Sequence, residues 1–168
     1  MARGTLKARS AKPRTSPKTK PAVAAKTKRA AKPITSRKAR PKQKFTVSHY
    51  READFAEGLR NYAKYRDLGI AAASGGMVQA NVIRFVPPFE PNEASTPHYH
   101  EVHFQMIYVL KGWYKTEFED EGVHTFEAGS CWVQPPGIKH AVRGYSDDCE
   151  LLEIVLPAGF GTVELDAL

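Results

Sequence analysis

The sequence lacks most of the features that would place it in several broad protein classes. Its 168 residues contain 2 cysteines, Cys131 and Cys149, in surroundings that suggest no disulfide framework. Both read as reduced, buried thiols of a protein kept in a reducing compartment. No uninterrupted apolar run approaches the roughly 18 residues that a membrane-spanning helix requires, and residues 1–30 lack the apolar segment of a secretory signal. The expectation is a soluble, cytoplasmic protein with no membrane partner. Residues 1–44 contain neither an acid nor an aromatic side chain. They hold 16 of the 25 Lys and Arg, whereas residues 45–168 set the other 9 against all 18 Asp and Glu. The net charge of +7 is therefore an average over a strongly basic arm and an acidic body.

The arm repeats Lys, Arg, Ala, Pro, Ser and Thr, and Pro13, Pro17, Pro21, Pro33 and Pro41 interrupt any helix. Such a segment cannot bury enough apolar surface to offset the entropy of ordering it, so residues 1–44 are expected to be a disordered tail and residues 45–168 the folded domain. In composition the tail resembles those of linker histones, which bind nucleic acid by neutralising phosphates without reading sequence. Non-specific nucleic-acid binding is thus one reading, beside a solvated extension and an organellar transit peptide. The last would ordinarily be rich in Arg and Ser, and here Lys predominates alongside five prolines.

Aromatic and acidic residues begin near Phe45. Tyr50–Leu68 reads as mixed structure, since Gly58 and irregular apolar spacing spoil a helical pattern. Ser74-Gly75-Gly76 is a turn. Met77–Val86 then alternates Val78, Ala80 and Val82 with Gln79 and Asn81, as a strand buried on one face does, and Pro87-Pro88 ends it. Phe104–Leu110 is a further strand. After a bend at Lys111-Gly112, Trp113–Asp120 alternates Tyr114, Thr116 and Phe118 with Lys115, Glu117 and Glu119. Gly122–Phe126, Ser130–Gln134, Lys139–Arg143 and Cys149–Leu156 continue a series of short strands divided by Gly, Pro and Asp. Many short strands and little helix indicate a β-sandwich or barrel.

The most informative stretch is Pro97–Gly112. Residues two apart on a strand project to the same face, so His98 and His100 can close on one object, and a metal ion suits two imidazoles best. His98-x-His100, four residues, Gln105, six residues and Gly112 resemble the first cupin motif. Gly129, five residues, Pro135-x-Gly137, two residues and His140 resemble the second. Two gapped patterns in the right order make a specific signal where a lone H-x-H would not. The resemblance implies an all-β fold, the cupin double-stranded β-helix or jelly-roll barrel, holding one divalent metal through His98, His100, Gln105 and His140. A homodimer is also usual in that superfamily, because the jelly roll leaves sheet edges to cover. Gln105 stands where the pattern has an acid, and Gly144 where it often has asparagine. Glutamine at that ligand position is found in cupins that linearise uronates and in some polyketide cyclases.

Three imidazoles and a neutral amide leave the charge of the ion uncompensated, which favours Lewis-acid work over oxygen activation. Imidazole-rich ligation suits Zn, Fe, Mn, Ni or Cu. The expected function is an isomerase, cyclase, lyase or dioxygenase acting on a small oxygen-rich molecule, for example a sugar acid. The alternative is a non-catalytic module that binds a small molecule in the same barrel. Glu153, in an otherwise apolar run, is a candidate general acid or base, its other reading being an outward, paired carboxylate. His103 is a second candidate base, or an outward loop histidine. Arg84 shares strand parity with Val78, Ala80 and Val82 and would, if it faces the barrel, bind a substrate carboxylate. Its other reading is a strand-end residue reaching solvent. Tyr108, Trp113, Trp132 and Tyr145 read first as packing aromatics and second as cavity walls.

Overall fold

A computed structural model describes residues 41–168. The basic arm falls on residues 1–40, outside the described residues, apart from residues 41–44, which are exposed and have no regular structure. The stretch of mixed character resolves into a 3₁₀ turn at Glu52–Asp54, β1 at Ala56–Glu57 and β2 at Ala63–Asp67, followed by a short helix α1 at Ile70–Ser74. Strand β3 is Gln79–Phe85, α2 is Pro91–Ala94, and β4, the histidine strand, is His98–Glu101. Then come β5 (Phe104–Lys111), β6 (Trp113–Phe118), β7 (Gly122–Glu127), β8 (Cys131–Val133), β9 (His140–Tyr145), β10 (Glu150–Leu156) and β11 (Gly161–Glu164).

These strands form two antiparallel sheets. One has six strands in the order β1-β2-β3-β10-β5-β8, the other five in the order β11-β4-β9-β6-β7. The alternation along β6 is realised in full: Tyr114, Thr116 and Phe118 are buried, while Glu117 on the other face pairs with Arg143 of β9 at 2.8 Å. Between the sheets an aromatic cluster fills one end of the interior. Phe85 packs against Tyr145 with ring centroids 4.6 Å apart and against Tyr114 at 5.3 Å, and Phe126 stacks on Trp132 at 4.0 Å. Such pairs contribute beyond their buried area. Among the described residues no helix is long and apolar enough to cross a membrane.

Two expectations need correcting. Cys149 is fully buried, but Cys131 is exposed, because it is Trp132, the next residue along β8, that turns inward. In β3 the apolar alternation marks the outer face. Gln79, Asn81, Ile83 and Phe85 look into the space between the sheets, whereas Ala80 and Val82, also buried, lie on the other side with Arg84. A strand covered on both faces, whose inner face borders a polar cavity, reverses the usual meaning of the pattern.

The bend after β5 depends on Gly112. Its φ of +66° is the left-handed conformation, and a Cβ there would collide with Ser146 Oγ and approach Asp148 Oδ1 to 2.7 Å. Gly112→Ala should therefore destabilise the domain by at least about 2 kcal/mol, combining left-handed strain with the clash. Urea unfolding of the two proteins measures this. A loss below about 0.5 kcal/mol, the size of an ordinary surface substitution, would show that the bend does not constrain the fold.

Candidate metal centre

His98 and His100 share the inner face of β4 because they are two residues apart on one strand. His140 begins β9 directly opposite His98 in the antiparallel register, and cross-strand partners lie on the same face. The turn that delivers it is tied to β4 by the Gly137 amide, which donates to the His100 carbonyl at 3.3 Å. One potential ligand nitrogen from each ring falls within 4.8 Å of the other two. The three histidines are thus positioned to bind a metal ion.

Their hydrogen bonds fix which nitrogen faces inward. Nδ1–H of His98 donates to the Thr96 carbonyl at 2.9 Å, and Nδ1–H of His140 to the Ile138 carbonyl at 3.1 Å. Nδ1 of His100 meets the Thr162 hydroxyl at 3.0 Å. A ring that donates from Nδ1 keeps its Nε2 lone pair free for a cation, and partners of this kind orient metal-binding histidines. Burial also disfavours the charged form. It lowers the His100 pKa to about 3, helped by the neighbouring His140 and His98 and by Arg60. His140 is lowered to about 4 by burial, then by His98 and Arg60, and His98 falls too, chiefly through burial. The folded protein therefore presents three neutral imidazoles at neutral pH.

Gln105, almost wholly buried on β5, stands in a chain of amides. Its Nε2 donates to Glu153 Oε1 at 2.7 Å, and its Oε1 accepts from Gln134 Nε2 at 3.0 Å. Gln134 Nε2 also lies 3.1 Å from His140 Nε2, which accepts from it. The carboxylate of Glu153 thereby turns the Gln105 oxygen towards the side of the site where Gln134 and His140 meet. Burial pushes the Glu153 carboxyl up from its ordinary range, against the opposing effect of the Gln105 hydrogen bond.

These residues line a cavity of about 470 Å³ between the sheets, within the range usual for small-molecule sites. The three histidines, Gln105, Gln134 and Glu153 lie along it with Asn81 and Arg60, and Tyr62, Phe85, Tyr114 and Trp132 supply apolar wall. Of the candidates read from sequence, Glu153 faces this cavity. His103 does not: it sits exposed at the bend between β4 and β5, outside either strand. Arg84 does not reach the cavity either. It lies on the outer face with its guanidinium 3.8 Å from the Phe55 ring centroid, bound to Glu150 at 2.7 Å and Glu52 at 2.5 Å. Trp132 lines the cavity, while Trp113 packs outside, beside Gly144. Gln134, Arg60, Asn81 and Thr162 escaped sequence reasoning. Gln134, just before the Pro135 turn, was the one a motif could have flagged.

A protein-family model for the cupin domain matches residues 88–155. No curated protein matches the sequence. Among solved structures, the polyketide cyclase RemF from Streptomyces resistomycificus aligns with a TM-score of 0.56 at 18% identity, covering 73% of this chain and 88% of that one. KdgF from Halomonas sp. aligns at 0.51 with 21% identity, over 66% of this chain and 94% of that one. Oxalate decarboxylase from Bacillus subtilis aligns at 0.53 with 18% identity over 74% of this chain but only 34% of the other, so this chain spans about a third of that protein. Likeness at these identities speaks for the fold and leaves the activity open. The matched segment contains both histidine motifs, and the two sheets around them share the fold of these neighbours: residues 88–155 match the cupin domain.

Proposed function

We propose that the protein binds one divalent metal ion through His98, His100, His140 and Gln105 and carries out a redox-neutral reaction, an isomerisation, cyclisation or elimination, on a small oxygen-rich molecule. The donor set fits such an ion: three neutral imidazoles, Nε2 being unengaged on His98 and His100 and held by the Gln134 amide on His140, and an amide oxygen held in place from behind. Zn, Fe, Mn, Ni or Cu would suit it. When bound, the ion supplies Lewis acidity undiminished by any carboxylate ligand. The chain's own residues do the rest. Glu153 Oε1 holds Gln105, and its Oε2, which makes no hydrogen bond to the described residues, is the atom that takes a proton from the substrate and returns it. Burial raises the pKa of that carboxyl, which favours its holding the proton between the two halves of the exchange. Tyr62, Phe85, Tyr114 and Trp132 hold the apolar part of the substrate and exclude water.

One observation carries the reading: three imidazoles converge in the wall of the same cavity that holds the Glu153 carboxyl. A module that merely stores a ligand has no use for a buried proton-transfer group beside its metal. A homodimer is supported by a separate feature, the outer face of the six-stranded sheet. Tyr108, Leu110 and Val133 are 37%, 44% and 57% exposed there, and they continue across neighbouring strands into Met106, Leu152 and Ile154. Apolar side chains that adjoin across three strands make a face that a second copy would cover.

Three measurements test this. The purified protein should take up one equivalent of divalent transition metal, and His140→Ala should lower the affinity more than 100-fold. Thr162→Val, which removes the partner of His100 Nδ1, should lower it about 10-fold. Failure of the wild type to bind any such ion would end the metal reading. With a panel of hydroxy, keto and uronic acids in D₂O, NMR should reveal an interconverted product that carries deuterium and forms without oxygen. Glu153→Gln should retain the metal and slow that exchange by about 10²–10⁴-fold, whereas dependence on oxygen would refute a redox-neutral reaction. Light scattering should return twice the chain mass, reduced to the single chain by Tyr108→Glu with Val133→Glu. A monomeric wild type would remove the dimer.

A further inference from the structure

We propose that Arg60 is the anion-recognition residue of this cavity and that the molecule it receives is an organic carboxylate. The inference deepens the proposed function and rests on the cavity being a ligand site, though not on the metal.

Arg60 lies in the loop between β1 and β2, on the edge of the six-stranded sheet, yet it is anchored to the other sheet. Its Nη1 donates to Glu164 Oε1 of β11 at 2.5 Å. Glu164 is the strand partner of His98, as Thr162 is of His100, so the guanidinium stands at the imidazole end of the cavity, where two sheet edges meet. The charge of Arg60 is felt by all three histidines. The side chain of Arg60 is only 13% exposed and that of Glu164 is 59% exposed. The partner is thus the wetter of the two, and the ion pair does not account for burying the arginine.

Arg60 Nη2 is buried and has no hydrogen-bond partner among the described residues. A guanidinium offers five donors in a planar fork that matches a carboxylate with two parallel bonds, and Glu164 engages it through one nitrogen. An unpaired charged donor is costly to bury. A ligand carboxylate would relieve that cost after a modest rotation of the guanidinium, which a single bond to an exposed glutamate permits. Arg60 is also the one Lys or Arg side chain among the residues lining the cavity. A single cation suits a monoanion. Arg60 alone offers less for a phosphate dianion, which would call for further cationic or amide donors.

The remaining walls orient such a molecule. Glu153 disfavours an anion at its own position, and the carboxylate of Asp67 is occupied by the Gly69 amide at 2.8 Å. The acid end of the ligand therefore lies by Arg60, its apolar body against Tyr62, Phe85 and Tyr114, and its other oxygen-bearing carbon between the imidazoles and Glu153. Recognition of a carboxylate, one of the two sequence readings of Arg84, passes to Arg60 in the loop at the edge of the same sheet, inside the cavity instead of outside it.

Benzoate and its neutral isostere benzamide test the idea, because the pair match in size and shape while benzamide lacks the charge and one of the two acceptor oxygens. Titrations by calorimetry should give benzoate an affinity at least 10-fold above that of benzamide, in the metal-free and in the metal-loaded protein alike. Arg60→Met should abolish that preference in both forms with metal uptake unchanged, and Glu164→Gln, which frees Nη1, should strengthen benzoate binding a few-fold. Equal affinity of the wild type for the two probes would overturn the proposal without recourse to any variant that might fold poorly. A preference that survives Arg60→Met, or one present only with metal bound, would assign the recognition to the ion and overturn it as well. Arg60-dependent preference in a protein that binds no metal would uphold the carboxylate site while the metal reading fails.

Discussion

The candidate metal centre depends on packing three imidazoles side by side without protonating any of them. Three basic nitrogens that all lie within 4.8 Å of one another repel as cations, and their inward lone pairs repel as bases unless something electropositive lies between them. The fold meets the first problem by burial, which makes the charged form costly. It meets the second from behind, with acceptors at Nδ1 from Thr96, Ile138 and Thr162 that hold each ring in one orientation. What stands before the lone pairs is partly visible: the Gln134 amide already satisfies the Nε2 of His140. A donor and a cation make the same electrostatic demand on that nitrogen, so a side chain that serves the one is suited to the other.

The strands were legible in the sequence because most of them obey a simple rule: one face inside, one outside, with Gly or Pro at the ends. β6 and β10 follow it closely, and the spacing of both histidine motifs carried through to rings that meet. The failures have physical causes. β11 is a short edge strand whose partner, β4, is distant in the chain, so no local pattern announces it. The parity of Arg84 with Val78, Ala80 and Val82 is legible, but which face that parity marks is not. A barrel with a polar cavity puts Gln79 and Asn81 inside and apolar residues outside, and parity alone cannot distinguish that from the reverse. Cys131 failed in the same way, being one residue from the inward-facing Trp132, while His103 is the outward loop histidine of its second reading. Arg60 could not have been found at all, since its significance comes from Glu164, 104 residues away.

Replacement of the motif acid by Gln105 reads differently once its neighbours are known. A carboxylate ligand would place negative charge against the ion. Here the carboxylate stands one hydrogen bond back, on Glu153, and reaches the site through an amide that cannot itself ionise. The arrangement separates two properties that one glutamate would combine: the oxygen that faces the imidazoles is neutral, and the group that can take up a proton is near them without being a ligand. A carboxyl group that also held a metal would be kept ionised by it and could not exchange protons near neutral pH.

On the proposed reading, Arg60 and Glu153, two of the charged side chains of the cavity wall, have distinct tasks that suit the places the sheets give them. Glu153 is in β10, flanked by β3 and β5 at the centre of the six-stranded sheet, where main-chain pairing on both sides makes its position rigid. Arg60 is in a loop at that sheet's edge, held by one contact to a strand at the edge of the other. Proton transfer requires a fixed distance, and recognition of an incoming anion requires a group that can adjust to it. The fold puts the first on its most constrained strand and the second where the barrel is least constrained. The same sheet edge that leaves Arg60 incompletely paired is what leaves it free to take a ligand.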